Sequence, residues 1–275
     1  MTVYEKEYFH KDGHKVSVLL AGVMINDEHV LCLTLDLTPQ KTLQQKKDEF
    51  ISIASHELKT PMTVIKGYLQ LLARNLGPAK EDYNDFINII NFQLDKLNTL
   101  VNELHDMSKI ESNKLRIHLE NFNLNQLAEN AIKEVKPFIE NHRIKFVEET
   151  KDLMIRADML RLEQVLINLL TNAIKYSPNG GDIIVTINKD NENAIITVQD
   201  FGMGIPKKNL KDIFTKFFQV EENTELREGL GLGLYISLQI IKQHNGTISV
   251  ESKEKLGSTF TIKLPLEYYE TFTIA

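Results

Sequence analysis

The apolar positions of this chain change period twice, and the changes divide it. Over residues 1–38 they fall in short runs separated by polar turns. Tyr8-Phe9-His10 leads into Lys11-Asp12-Gly13-His14, a turn signal. Val16 to Leu20 and His29 to Leu35 follow, parted by Asn26-Asp27-Glu28. Three strands in so short a stretch are too few for an independent core. Pro39 ends them, and from about Thr42 to Asn75 the period becomes helical, interrupted by Pro61 and broken at Gly77-Pro78. A second helix is expected from about Asp82 to Ser112, where Ile90, Leu97 and Leu104 recur every seven residues, with Leu94 and Val101 between them. That is a bundle repeat. Two long helices and a short turn make an antiparallel hairpin whose open apolar stripe a second copy closes.

Beyond about residue 120 helices and strands mix. Helices are expected at 123–141, 158–176 and 231–244. Strands are expected at 144–148, 153–157, 182–188, 194–199, 246–251 and 258–264. Strands that follow one another without helices between them predict a mixed or antiparallel sheet with helices on one face. The expected fold is therefore multidomain α+β: a short β remnant at the N-terminus, a helical hairpin forming a four-helix bundle as a dimer, and an α/β sandwich with a mixed sheet. The boundaries fall at 1–38, a helical linker 39–49, 50–116 and 117–270.

Charge narrows the function. A net charge of −6 and a pI near 5.8 argue against nucleic acid as the partner. No stretch of the sequence approaches a membrane span, and the N-terminus lacks a signal peptide's apolar core, so a cytoplasmic chain is expected. The single cysteine, Cys32, lies in the apolar run Val30 to Leu33 and is expected to be buried.

Four constellations carry chemistry. In Ser55-His56-Glu57-Leu58-Lys59-Thr60-Pro61, a histidine mid-helix has a carboxylate beside it, a hydroxyl one turn on and a proline that costs the helix roughly 3 kcal/mol. A neutral imidazole is a competent nucleophile near neutral pH. In Asp158 to Tyr176, Asp158 can cap the helix and Leu162, Val165, Leu166, Leu169 and Ala173 give its apolar face. Glu163, Asn168, Asn172 and Lys175 gather towards another side; amide and carboxylate oxygens suit Mg²⁺, and a lysine suits phosphate. Asp200-Phe201-Gly202-Met203-Gly204-Ile205-Pro206 follows a strand and permits a tight turn against a ligand. Gly229-Leu230-Gly231-Leu232-Gly233 opens a helix, exposing backbone N–H groups to an anion. Between the last two lie Phe214 to Phe218 and the polar stretch Glu221 to Glu228, which has the texture of a lid. Protein-kinase order is absent, since the glycine loop comes last and no His-Arg-Asp occurs.

Taken in order, these motifs resemble those of the bacterial sensor histidine kinases over residues of about 42–266: phosphoacceptor box, asparagine box, first glycine box, phenylalanine box and second glycine box, closed by Gly257-Ser258-Thr259-Phe260 and Leu264-Pro265. The resemblance implies a dimerisation hairpin and an ATP-binding sandwich shared with gyrase and heat-shock chaperone ATPases. It implies ATP, Mg²⁺ and a response-regulator receiver domain as partner. His56 is then the nucleophile, Glu57 its orienter or base, and Thr60 the group that positions water for removing phosphate from the regulator. Asn172, with Glu163, would hold the metal. Asn168 and Lys175 would lie near phosphates, Tyr176 against adenine and Asp200 on its amine. Gly202, Gly204, Ile205, Phe214, Gly229, Gly231, Leu232, Gly233 and Thr259 would line the nucleotide site. Residues 1–38 resemble the last strands of a PAS domain, on Lys11-Asp12-Gly13 and on Leu35-Asp36-Leu37-Thr38. Two positions depart from the family: Leu230 stands where a small hydroxyl is frequent, and His244-Asn245-Gly246 replaces His-Gly-Gly. A phosphatase without kinase activity and a nucleotide-binding scaffold are the alternatives. Intact Asn172, Lys175 and Asp200 speak against the first, and intact His56 and Glu57 against the second.

Overall fold

The computed structural model describes residues 2–26, 29–74, 81–139, 141–219 and 229–266. The expected break at Gly77-Pro78 and the lid-like stretch Glu221 to Glu228 lie outside them. The chain forms two compact units, Met1–Thr60 and Pro61–Ala275.

In the first unit, β1 (Thr2–Phe9), β2 (Lys15–Asn26) and β3 (His29–Asp36) form an antiparallel meander in the order β1-β2-β3. Val18, Leu20, Ala21 and Leu37 are buried, but every residue of β3 is exposed. Cys32 is therefore exposed rather than buried. The reason is the one the strand count supplies: three strands leave nothing to cover the outer strand. Helix α1 (Thr38–Arg74) starts directly from β3, with the Asp36 carboxylate accepting the Thr38 N–H over 2.8 Å. Lys41 on its first turn pairs with Glu5 of β1 at 2.7 Å. The helix runs through Pro61 without ending.

In the second unit, the end of α1 meets α2 (Glu81–Glu111) where the rings of Tyr68 and Phe86 lie 5.3 Å apart. That contact near the turn makes the pair the expected hairpin. The unit's remaining strands are β4 (Glu120–Asn123), β5 (His142–Glu148), β6 (Met154–Ala157), β7 (Gly181–Lys189), β8 (Asn193–Asp200), β9 (Thr247–Lys253) and β10 (Gly257–Pro265). Five of them form one sheet in the order β5-β7-β8-β10-β9, parallel between β5 and β7 and antiparallel elsewhere. Helices α3 (Leu124–Val135), α4 (Met159–Lys175) and α5 (Gly233–Gln243) cover one face, burying Leu124, Leu166, Leu170, Ile183, Ile196, Ile240 and Ile262. The sheet is mixed, as expected.

One boundary and one strand stand apart from expectation. Helix α3 stops at Val135 rather than at residue 141, because Pro137 has no N–H to continue the helical ladder and the chain tightens into a 3₁₀ turn at Lys136–Phe138. Strand β4, paired with β6, was not expected, since Glu-Asn-Phe-Asn carries no strand pattern.

Candidate active site

The site grows from α4. Asp158 caps it, accepting the Arg161 N–H at 3.1 Å, and also accepts the His118 N–H at 2.9 Å. The Asp158 N–H in turn donates to His244 Nε2 at 2.9 Å, while His244 Nδ1 lies 2.8 Å from the Ile240 carbonyl. A bare Nε2 requires the proton on Nδ1, so this buried histidine is a neutral clamp between α4 and α5. Asn245 after it has φ of +55°, a conformation that asparagine or glycine tolerates, which accounts for one departure from the family pattern.

Further along, Asn172 and Tyr176 face a cleft of about 280 Å³ whose walls also include Asp200, Met203, Gly204, Ile205, Phe218, Ser258 and Phe260. Asp200 is 5% exposed at the end of β8. It accepts the Gly202 N–H at 2.9 Å and the Ser258 N–H at 3.2 Å. Burial pushes its carboxyl above the usual range, and the two N–H groups pull the other way. A buried carboxylate that lines an apolar cleft and keeps one oxygen clear of its backbone donors is a receptor for an N–H donor such as an exocyclic amine. Gly204 holds φ of +66° and lies so close to the Lys253 carbonyl that no Cβ fits. Burial raises the Tyr176 phenol too.

The structure thus brings Asn172, Tyr176, Asp200, Gly204 and Ile205 together. It places other expected residues behind the cleft. Asn168 donates to Ser237 Oγ at 2.9 Å and accepts from the Asn172 amide at 3.4 Å. Its side chain presses on Gly233, where a Cβ would overlap it. Asn168 therefore joins α4 to the glycine-rich start of α5. Gly202 contributes its N–H and packs on the Tyr176 carbonyl. Phe214 stands edge-on to Phe260, 6.4 Å away. Gly229 and Gly231 take positive φ while Leu230 and Leu232 between them are buried, so the leucines anchor this segment and Leu230 offers the ligand no side chain. No side chain caps α5, which leaves the first-turn N–H groups for an anion. Lys175 lies over the Tyr176 ring at 5.2 Å and acts on Glu103 of α2.

Two expectations need correction. Glu163 does not gather with Asn172: nine residues at 100° each put it on the opposite side of α4, where burial and Glu134 of α3 push its carboxyl up. Thr259 is not on the cleft wall. Ser258 and Phe260 are, and strand alternation sends Thr259 to the other face. Ser258 was missed, although β10 pairs Thr259 with Gln199 and so sets Ser258 beside Asp200. Met203 and Phe218 were also missed, although they lie inside the glycine and phenylalanine motifs, and so were Glu254 and Lys255, which no pattern marks.

Asn172 offers a hard cation an oxygen here. Because the Asn172 Nδ2 points at Asn168, its Oδ1 is the atom left for the cleft. A single protein oxygen fits Mg²⁺, which keeps waters and phosphate oxygens as its other ligands.

On α1, His56 and Thr60 are exposed and Glu57 is half-buried. The Thr60 hydroxyl donates to the His56 carbonyl at 3.0 Å, so both stand on one face.

An exposed histidine on a hairpin helix, joined in one chain to a mixed-sheet ATPase fold, defines a class. Two family models match the chain: the His Kinase A (phospho-acceptor) domain over residues 46–113, and the histidine kinase-, DNA gyrase B- and HSP90-like ATPase over residues 157–268. Together they cover about two thirds of it, and the chain belongs to the sensor histidine kinases. It is 32% identical over 241 residues to sensor histidine kinase WalK of Bacillus subtilis, covering 86% of this chain and 39% of that protein. Among solved structures, histidine kinase AdeS of Acinetobacter baumannii superposes with a TM-score of 0.58 at 29% identity, over 77% of this chain and 98% of that one. Histidine kinase ThkA in complex with the response regulator TrrA matches with a TM-score of 0.55 at 25% identity, over 96% of this chain and 78% of that one. The chain spans about two fifths of the length of the curated relatives it matches. Among the described residues, no helix is long and apolar enough to cross a membrane.

Proposed function

We propose that the chain is an ATP-dependent autokinase that phosphorylates His56 and passes the phosphoryl group to an aspartate of a response regulator. The observation that carries the reading is the exposed His56 on α1, coupled in one chain to a cleft lined by buried Asp200 and by Asn172. An imidazole nitrogen of His56 attacks the γ-phosphorus, the bond to the β–γ bridging oxygen breaks, and ADP leaves with that electron pair. Glu57 orients the ring through its other nitrogen. Asp200 takes the adenine amine, Tyr176 and Ile205 pack on the base, and the first turn of α5 faces the phosphates. Mg²⁺ held by Asn172 would neutralise charge on the transferring group. The partner reading draws support from ThkA, which is similar to this chain and was solved with a response regulator. All of this is cytoplasmic chemistry, so the module is assigned there.

Removal of phosphate from the regulator belongs to the same reading, with Thr60 placing the attacking water. The proposed boundaries remain 1–38, 39–49, 50–116 and 117–270, with the first segment taken as the end of a PAS sensor. A homodimer through the hairpin fits the open apolar stripe of α2.

The direct test is His56→Gln with γ-labelled ATP, which is expected to take up no acid-labile label while binding nucleotide as before. Label at wild-type level would overturn the assignment. Thr60→Ala is expected to keep autophosphorylation within about threefold and to lose at least about tenfold in regulator dephosphorylation, a range typical for general acid–base and positioning groups. Equal losses in both would remove the distinct role of Thr60.

A further inference from the structure

A second cluster of chemistry-bearing side chains lies far along the sequence from the nucleotide cleft, on the turn joining β1 to β2. Gly13 adopts φ of +87° and its N–H donates to the His10 carbonyl at 2.8 Å, while the His10 N–H donates to the His14 carbonyl at 2.8 Å. This tight turn sets His10 and His14 opposite each other across the hairpin. Their rings stack at 4.4 Å between centroids, 24° from parallel. Asp12 projects from the turn between them, its Oδ2 3.1 Å from His10 Nδ1. Among the described residues this is the place where three side chains of the metal-ligating types put a ligand atom each within 4.8 Å of one another.

We propose that His10, Asp12 and His14 form a divalent transition-metal site of the zinc class. Its donors are two imidazole nitrogens and one carboxylate oxygen, with water completing a tetrahedron. Imidazole selects zinc, nickel or copper over Mg²⁺ and Ca²⁺, which prefer oxygen alone. Two ligand atoms on one tetrahedral zinc stand about 3.4 Å apart, so the His10–Asp12 spacing already matches an edge of that polyhedron, and rotation of the exposed His14 ring closes the rest. His10 Nδ1 also receives the Asp12 N–H at 3.3 Å, which asks for a lone pair on the nitrogen that faces the carboxylate. A cation between nitrogen and oxygen would take that lone pair in place of the long hydrogen bond and would pair the carboxylate as well. Asp12 supplies the anionic ligand, and of the two lysines beside the turn, Lys11 and Lys15, the second is held by Glu7 at 2.8 Å.

The site is exposed and has three ligands, which predicts a binder weaker than a buried structural zinc site. The test is calorimetric titration of the full chain with Zn²⁺ at pH 7.5 in a non-chelating buffer. The expected result is a site of one ion per chain whose affinity falls at least tenfold in the His10→Ala/His14→Ala double variant and severalfold in Asp12→Asn. These side chains are exposed, so folding should be unchanged, which circular dichroism checks. A second measurement needs no variant: substoichiometric paramagnetic Ni²⁺ should broaden the imidazole proton resonances of His10 and His14 before those of the other six of the eight histidines. Wild-type affinity and stoichiometry in the double variant, or broadening that begins at other histidines, overturns the site. Competition by millimolar Mg²⁺ as effective as by Zn²⁺ overturns the ion class.

Discussion

At the end of β8, Asp200 has two backbone donors, Gly202 and Ser258, on one of its oxygens. The other oxygen is the one that the proposed function gives to the adenine amine. Converting it to an amide by Asp200→Asn turns one acceptor site into a donor facing a donor. The ATP dissociation constant is then expected to rise about 10- to 100-fold, the equivalent of about 1.5–3 kcal/mol for one mismatched buried hydrogen bond. Ser258→Ala should cost only a few-fold, since its backbone N–H survives, and Thr259→Ala should lie within about twofold because that side chain is on the far face of β10. Fluorescent-nucleotide titration ranks the three. A Thr259 effect larger than that of Ser258 would put the wrong face of β10 on the cleft. The sequence could name the Gly-Ser-Thr-Phe segment but not its parity. Parity comes from the pairing with β8, a contact between residues about sixty apart. Glu163 failed for the same kind of reason: it lies within the polar spacing of α4, yet its position on the helical circumference matters more than its chemical type.

The elements themselves were more legible than the side chains. Long helices with seven-residue repeats and strands bounded by glycine, asparagine and proline carry local signals. The failures, β4 and the end of α3, concern a four-residue strand and a proline-terminated turn. What the local pattern does not carry is how α2 meets the ATPase fold. There Asp106, 5% exposed, accepts from Arg161 at 2.7 Å and from Gln164 at 2.8 Å, both on α4. One turn earlier is Glu103, whose buried Oε2 has no hydrogen-bond partner. Burial pushes its carboxyl up to about 7; Lys175 pulls it down and Asp106 pushes it up again. The folded state therefore holds a proton that the unfolded chain releases from about pH 4.5, and stability falls as pH rises from there to about 7. Glu103→Gln removes the penalty. It is expected to leave stability near pH 5 unchanged and to raise it by about 1–3 kcal/mol at pH 8. Urea melts at the two pH values check this, and an identical shift at both would rule out titration of Glu103 as the cause.

For the whole molecule the deciding surface is the hairpin. On α2, Ile90, Leu100 and Met107 are buried, whereas Ile87, Leu94 and Val101, spaced by sevens, are exposed. Met62 and Leu69 on α1 repeat the same step and are exposed too. One hairpin therefore satisfies one stripe of its apolar repeat and leaves a second to water, a large cost for side chains each worth about 1.5–3 kcal/mol when fully buried. Two copies related by a twofold axis cover both stripes at once, which is how four-helix bundles close. The stripe is the feature to break. Val101→Glu places a charge at the middle of the proposed seam and leaves the inner stripe of Ile90 and Leu100 untouched. Sedimentation equilibrium should find the wild-type chain as a dimer of about twice 31.6 kDa and the variant as a monomer at micromolar concentration. Circular dichroism should be nearly the same for both, because the fold of each ATPase domain does not depend on the seam. A monomeric wild type, or a variant that remains dimeric, would exclude this stripe as the interface and leave its apolar side chains to another partner.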